Sequence, residues 1–319
     1  MSTKIVPGVE VIDLEYLGQP EAIAAAVLET RDGLAVVDPG PTVSLPALRA
    51  GLATRGAGIA DLRWILLTHI HLDHAGATGA LVRENPHARV LVHERGVRHL
   101  VDPSRLLESA TRIYGDELAY RFGDVPPVPA DRIEALRGGE ALDLGGAGDA
   151  AGRKLRVAYT PGHAWHHVSF LDELSGVAFV GDVAGERYPG RDFVIPVTPP
   201  PDIDLESWRA SWDVIRGWKA SSILLTHFGL FPDVEAHLDQ LQRRTEAWAE
   251  RVRLSLGNEL TDAQRAKAFY TWAEEEARAQ LPEPVALRYV RAAGVLDSWS
   301  GFARYWRKKE ETGDPSRAA

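Results

Sequence analysis

Trp64-Ile65-Leu66-Leu67-Thr68-His69-Ile70-His71-Leu72-Asp73-His74-Ala75-Gly76 places four potential metal ligands within six residues, directly after an unbroken apolar run. The run Trp64 to Leu67 predicts a strand buried on both faces. In extended chain His69 and His71 point to one side, because side chains repeat every two residues. Asp73 and His74 follow at the turn into a helix, free to face a second point. This spacing suits two metal ions a few ångströms apart. A single polar residue before a helix is usually a cap or solvated; His-x-His-x-Asp-His behind a buried strand is not explained that way.

Outward from this stretch, other apolar runs also end in a His or an Asp. Tyr159-Thr160-Pro161-Gly162-His163 closes one, Val180-Gly181-Asp182 the next, and Leu225-Thr226-His227 a third. Strand ends on a rigid sheet are where a site is held most firmly. The runs Ala22 to Leu28 and Leu34 to Val37, split by Arg31-Asp32-Gly33, predict a hairpin. Arg89 to Val92, Leu155 to Tyr159, Val168 to Leu171, Val177 to Val180 and Ile223 to Leu225 predict further strands. Val43 to Thr54, Ala77 to Glu84 and Leu205 to Lys219 predict helices. The result is an α/β pattern with sheets at the core.

Two segments differ. Residues 94 to 140 carry little strand signal, several helical stretches and the turn Val125-Pro126-Pro127-Val128-Pro129, and are read as a helical insertion. From Asp233 onward nothing reads as a strand. Val234, Leu238, Leu241, Trp248 and Val252 mark one apolar helix face; Leu256-Gly257-Asn258 ends that helix and Thr261-Asp262 caps the next. The expected organisation is a catalytic domain over 1–232 and a helical extension over 233–319, with Thr312 to Ala319 frayed. Insertion and tail are expected to roof the cleft, and the tail offers a surface for a homodimer. Of the nine tryptophans, Trp208, Trp212, Trp218, Trp248, Trp272, Trp299 and Trp306 are expected mainly to fill the junction between tail and core.

The 319-residue chain has a net charge of −9, which opposes a polynucleotide partner because phosphate contacts need a basic face. It has no cysteine, so disulfides, thiolate metal sites and a cysteine nucleophile are excluded. Neither a secretory signal nor a membrane span of ~20 apolar residues is present, so a soluble cytoplasmic protein acting on a small molecule is expected.

Taken together, the strand-end Asp38 (in Val36-Val37-Asp38-Pro39-Gly40), His69 to His74, His163, Asp182 and His227 resemble the pattern of the metallo-β-lactamase-fold superfamily of metallohydrolases over about residues 20 to 230. The resemblance implies an αββα sandwich with the site on the sheet edge. It implies that His69, His71 and His163 bind one metal, that Asp73, His74 and His227 bind the other, and that Asp182 bridges them. Asp38 would steady the histidine loop from behind. Antibiotic-degrading members usually use a cysteine ligand. With Asp182 and Asp73 in those roles, the chain looks closer to the hydroxyacylglutathione hydrolase (glyoxalase II) and lactonase branches, and within them to a group of uncharacterised bacterial hydrolases. It departs from glyoxalase II in the long run between His74 and His163, which makes 94–140 an addition.

The implied chemistry is a dinuclear hydrolase in which a metal-bridging hydroxide cleaves a small ester, thioester or lactone. Two divalent ions per chain are expected, zinc in the first instance, although these ligands suit iron and manganese as well. Asp73 would also accept a hydrogen bond from the nucleophile. For leaving-group protonation or substrate contact the candidates are His166 and Tyr188, with Arg187 and Arg191 for an acidic group. His167 is expected to be a buried supporting residue; His87, His93, His99 and His237 carry no motif. The competing readings are a mononuclear iron oxygenase like the persulfide dioxygenases of the same superfamily, a small-molecule phosphodiesterase, and a metal-stabilised binding module.

Overall fold

A computed structural model describes residues 2–145, 152–292 and 294–313. The expected fraying of 312–319 falls, beyond Gly313, outside the described residues. Strands β1 Ser2–Val6, β2 Val9–Asp13, β3 Ala24–Thr30, β4 Gly33–Val37, β5 Leu62–Leu66, β6 Arg89–His93 and β7 Ile133–Leu136 form one sheet in chain order. Strands β1 to β4 are antiparallel and β4 to β7 parallel. The second sheet runs β13-β12-β11-β10-β9-β8. Its strands are β8 Ala141–Leu144, β9 Arg153–Tyr159, β10 Val168–Asp172, β11 Val177–Phe179, β12 Ser222–Leu225 and β13 Gly229–Phe231. Only the β11–β12 pair in it is parallel.

Period-two alternation explains the layering. On β3, Ala24, Ala26 and Leu28 face the second sheet's Leu155, Val157, Phe170 and Phe179, closing the core between the sheets. The intervening Ala25 and Val27 face outward onto Leu48, Leu52 and Leu81. Those come from helices α1 Leu45–Ala53 and α3 Thr78–Glu84; between them lies the single turn α2 Leu72–Ala75. On the far side the second sheet is covered by α7 Leu205–Gly217 and α8 Val234–Ser255. The αββα sandwich is therefore what this chain forms, with a helical C-terminal extension of α8, α9 Asp262–Gln280, α10 Glu283–Ala292 and α11 Val295–Thr312.

The tail packs as its periodicity predicts. Val234, Leu238, Leu241, Trp248 and Val252 are all buried in one cluster with Trp208, Trp212 and Trp299. Trp208 and Trp212 both donate to the Val183 carbonyl, at 2.7 and 2.8 Å. Thr261 caps α9 through a reciprocal bond set with Gln264, an arrangement worth about 1 kcal/mol.

The segment 94–140 differs from a purely helical insertion. Its helices, α4 Glu94–Val101, α5 Ser104–Tyr114 and α6 Leu118–Phe122, end before the prolines, and the chain then returns to the sheet as β7. This strand has four residues, only Leu136 of them buried, so it lacks an alternating apolar signature. Strands β1, β2, β8 and β13 also escape the apolar-run reading.

Candidate metal centre

The ends of five strands converge on one edge of the sandwich. β4 delivers Asp38, β5 the loop Thr68 to His74, β9 the loop to His163, β11 Asp182 and β12 His227. Asp38 sits in the left-handed region (φ 49°) and is buried. Its carboxylate accepts from Thr68 N at 2.8 Å, Thr68 Oγ1 at 2.7 Å, Thr226 Oγ1 at 2.9 Å and His74 Nδ1 at 2.8 Å. One carboxylate thus ties the histidine loop to the strand that carries His227. Gly181, beside Asp182, has φ +47°, and a Cβ there would lie 2.5 Å from Thr68 Oγ1 and 2.8 Å from His167 Nε2. Only glycine lets the Asp182 loop close on the histidines.

Tautomers follow from these bonds. Thr68 Oγ1 spends its proton on Asp38, so at 3.1 Å it accepts from His69 Nδ1. His163 Nδ1 donates to Val197 O at 2.8 Å and His227 Nδ1 to Ala22 O at 2.9 Å. His69, His74, His163 and His227 therefore all present Nε2 to the centre, the orientation second-layer partners impose on metal-binding imidazoles. His71 instead presents Nδ1, 3.0 Å from both His69 Nε2 and His163 Nε2. The protons of His69 and His163 are already committed, so at most one of these two contacts is a hydrogen bond. The remaining lone pair faces other nitrogens. Four ligands held at ~2.0 Å around a tetrahedral ion stand roughly 3.3 Å apart, close to this spacing.

Asp182 lies between two groups of side chains. Its Oδ2 is 3.5 Å from His163 Nε2 and 4.0 Å from His69 Nε2; its Oδ1 is 3.1 Å from His74 Nε2 and 3.6 Å from His227 Nε2. Buried His74 Nε2 and Asp182 Oδ1 nonetheless make no well-directed hydrogen bond. Ligand atoms of His69, His71, His163 and Asp182 form one group all within 4.8 Å of one another, and those of Asp73, His74 and His227 a second. Imidazole nitrogens and carboxylate oxygens converging in these two groups are donors that suit divalent metal ions, so the residues present fit metal binding.

The two groups carry different charge. Burial, reinforced by neighbouring imidazoles, holds His69 well below its ordinary range; burial also lowers His71 and takes His163 to about 4. At His74 the cost of burial is outweighed by Asp182, Asp73 and Asp38, which raise it well above its ordinary value. His227 likewise rises to about 9 against burial, through Asp182 and Asp73. Asp73 is buried at some cost but is held down at about 2 by His74 and His227.

The centre forms the floor of a cleft of about 1920 Å³ walled by the insertion and the tail. His166 lines it, on an irregular turn rather than a helix, its ring 5.6 Å from that of His71. Its Nδ1 accepts from Ile70 N at 3.4 Å, which places its proton on Nε2. Tyr188 also lines the cleft but is buried beneath Arg288, whose guanidinium sits 4.0 Å above the ring. Its hydroxyl makes no well-directed hydrogen bond, and burial pushes its pKa up. His167 is buried against Thr160 Oγ1 at 2.9 Å. His237 is buried too, bonded to Ala184 O at 2.8 Å, and His99 lines the cleft.

Arg187 does not reach the cleft: it pairs with Asp233 at 2.8 Å and stacks on Phe231, both distant in sequence. Arg191 is exposed and also outside the lining. Sequence reasoning missed Glu186, which lines the cleft, is 3 % exposed and has an unpartnered Oε1. Burial pushes its carboxyl up to about 7. Its place four residues after Asp182 was the available signal.

Fold and centre define a metallohydrolase. The sequence profile of the Metallo-beta-lactamase superfamily matches residues 18–227, and the chain belongs to that family. It is a metal-binding hydrolase of it, with hydrolases among its relatives. A metallo-beta-lactamase fold-containing protein of Sulfurisphaera tokodaii is 35% identical over 191 residues, 58% of this chain and 68% of the relative. A hydroxyacylglutathione hydrolase of a Synechococcus strain is 27% identical over 275 residues, 83% of this chain and 90% of the relative. The crystal structure of a metallo-beta-lactamase family protein from Thermus thermophilus superposes with a TM-score of 0.69 at 24% identity, covering 96% of this chain and 95% of that one. Among the described residues, no helix is long and apolar enough to cross a membrane.

Proposed function

We propose that the protein is a dinuclear hydrolase of a small ester, thioester or lactone. The observation that carries this reading is Asp182, whose two oxygens face two separate ligand groups. His69, His71 and His163 would hold one ion, Asp73, His74 and His227 the other, and Asp182 both. Two divalent ions held there supply a Lewis acid for a carbonyl oxygen and a water acidified towards neutral pH. Zinc suits the all-His/Asp set.

The chain's own groups do the rest. Asp73, half-buried at the cleft floor, accepts a hydrogen bond from the attacking water and aims it. His166 has its pKa held well down by burial, and its Nε2–H donates a hydrogen bond to the leaving group while keeping its proton. Tyr188 keeps its phenolic proton and would donate to the substrate only if Arg288, which covers its ring, moves aside. The hydroxyacylglutathione hydrolase relatives favour a thioester among the three substrate types. The test is a screen of zinc-loaded protein against thioesters, aryl esters and lactones. Turnover of at least one class is expected. Silence across all three, with oxygen consumed on a persulfide by the iron-loaded protein, would replace hydrolysis by iron oxygenase chemistry.

A further inference from the structure

We infer that the insertion builds an anion subsite for the substrate's distal group, made by Arg95 and Arg98 of α4 and Arg105 of α5. The inference deepens the proposed hydrolase by naming its substrate class: an ester or thioester with a phosphate- or carboxylate-bearing leaving group.

All three arginines line the cleft. None makes an ion pair with a described residue, although the chain as a whole is acidic and most of its other arginines are paired. Of the nearby carboxylates, Asp102 acts on Arg105 and Asp202 shares the cleft wall, but neither comes within ion-pair distance of the three arginines. Glu94 turns to Arg137 at 2.7 Å, and Asp202 lies 3.5 Å from the Trp165 amide. Arg98 Nε donates to His99 Nε2 at 3.1 Å, and Arg98 and Arg105 together help lower the His99 pKa, though burial lowers it more. Both cations therefore act on one point of the wall. Arg95 lies 5.6 Å over Trp165, which presents its guanidinium as a planar fork.

The wall is continuous with the centre: His99 neighbours His166, and His166 stacks at 6.1 Å on His69. A cleft of about 1920 Å³ exceeds the ~300–1,000 Å³ usual for small ligands, leaving room for a charged tail beyond the scissile carbonyl. Guanidinium groups bind phosphate and carboxylate by paired hydrogen bonds. The subsite thus selects by the tail and leaves the chemistry to the centre.

The test measures binding of non-hydrolysable thioethers to the full chain by calorimetry, with S-butyl-coenzyme A as the phosphate-bearing probe and S-butylglutathione as the carboxylate-bearing one. At least one should bind. R98Q/R105Q should weaken it about tenfold or more, since each lost charge-assisted bond costs several-fold. R98K/R105K should recover part of the loss. R112Q, on α5 but outside the cleft, should match the wild type within about twofold. The stronger probe identifies the source of the charge. No binding of either probe up to about 1 mM, or equal binding by wild type and R98Q/R105Q, overturns the subsite. Arginine-dependent binding without hydrolysis of any thioester or ester would leave the subsite standing and remove the proposed reaction instead.

Discussion

Burial holds the pKa values of His69, His71 and His163 down, whereas the carboxylates around His74 and His227 raise theirs against burial. The two halves of the centre are built from similar parts, histidines at strand ends that are steadied through Nδ1 except at His71, which turns Nδ1 to the centre. They differ in which acids touch them. The first half shares one oxygen of Asp182; the second has the other oxygen, Asp73, and Asp38 on the far side of His74. Identical side chains therefore become a preformed ligand set in one half and a proton-loaded set in the other. A cation entering the first half displaces little. In the second it must expel protons, so its binding is coupled to pH.

The broadest way to break the comparison is to remove what the halves share. Asp182→Ala should weaken both ions and cut kcat/KM by more than about 100-fold, because losing even an outer partner costs ~10–100-fold. Metal titration with activity on the same samples checks this. Retention of one tightly bound ion would show that Asp182 belongs to one half only.

Changing pH should then separate the halves. His227, raised to about 9, keeps its proton below that value, and a metal must displace it. Between about pH 9 and pH 6.5 the apparent affinity of the second half should fall by roughly 100-fold or more, about tenfold per unit for one proton. The first half, whose histidines are lowered below 6.5, should change little over the same window. Parallel slopes for both ions would contradict the difference.

A smaller effect is expected from Asp38→Asn, which keeps the shape but removes the charge behind His74. The second ion should lose about 10–100-fold in affinity. The first should lose less, because Asp38 reaches His69 only through Thr68. Stepwise calorimetric titration resolves the two.

The chain itself spelled out much of this centre. Each ligand stands directly after a short apolar run, and strands buried on both faces are the most legible elements of a sequence. Strands β1, β7, β8 and β13 were hidden because they are short or lie at sheet edges, where few residues are buried. The cleft walls were hidden for another reason. Arg187 was expected to meet substrate but is captured by Asp233, whereas Arg288 arrives over Tyr188 from a helix a hundred residues further on. Which arginine finds a carboxylate is decided by tertiary contacts that no local pattern carries. The same holds for Arg95, Arg98 and Arg105, which look like ordinary charged helix residues until the insertion is folded against the centre.

The central claim is that two unlike halves share Asp182. The most direct measurement is the number and identity of metals per chain, by plasma mass spectrometry on untagged protein equilibrated near pH 9 and again near pH 6.5. Two zinc ions per chain at the higher pH, falling towards one at the lower, is the predicted result. A single iron per chain at both values would contradict it.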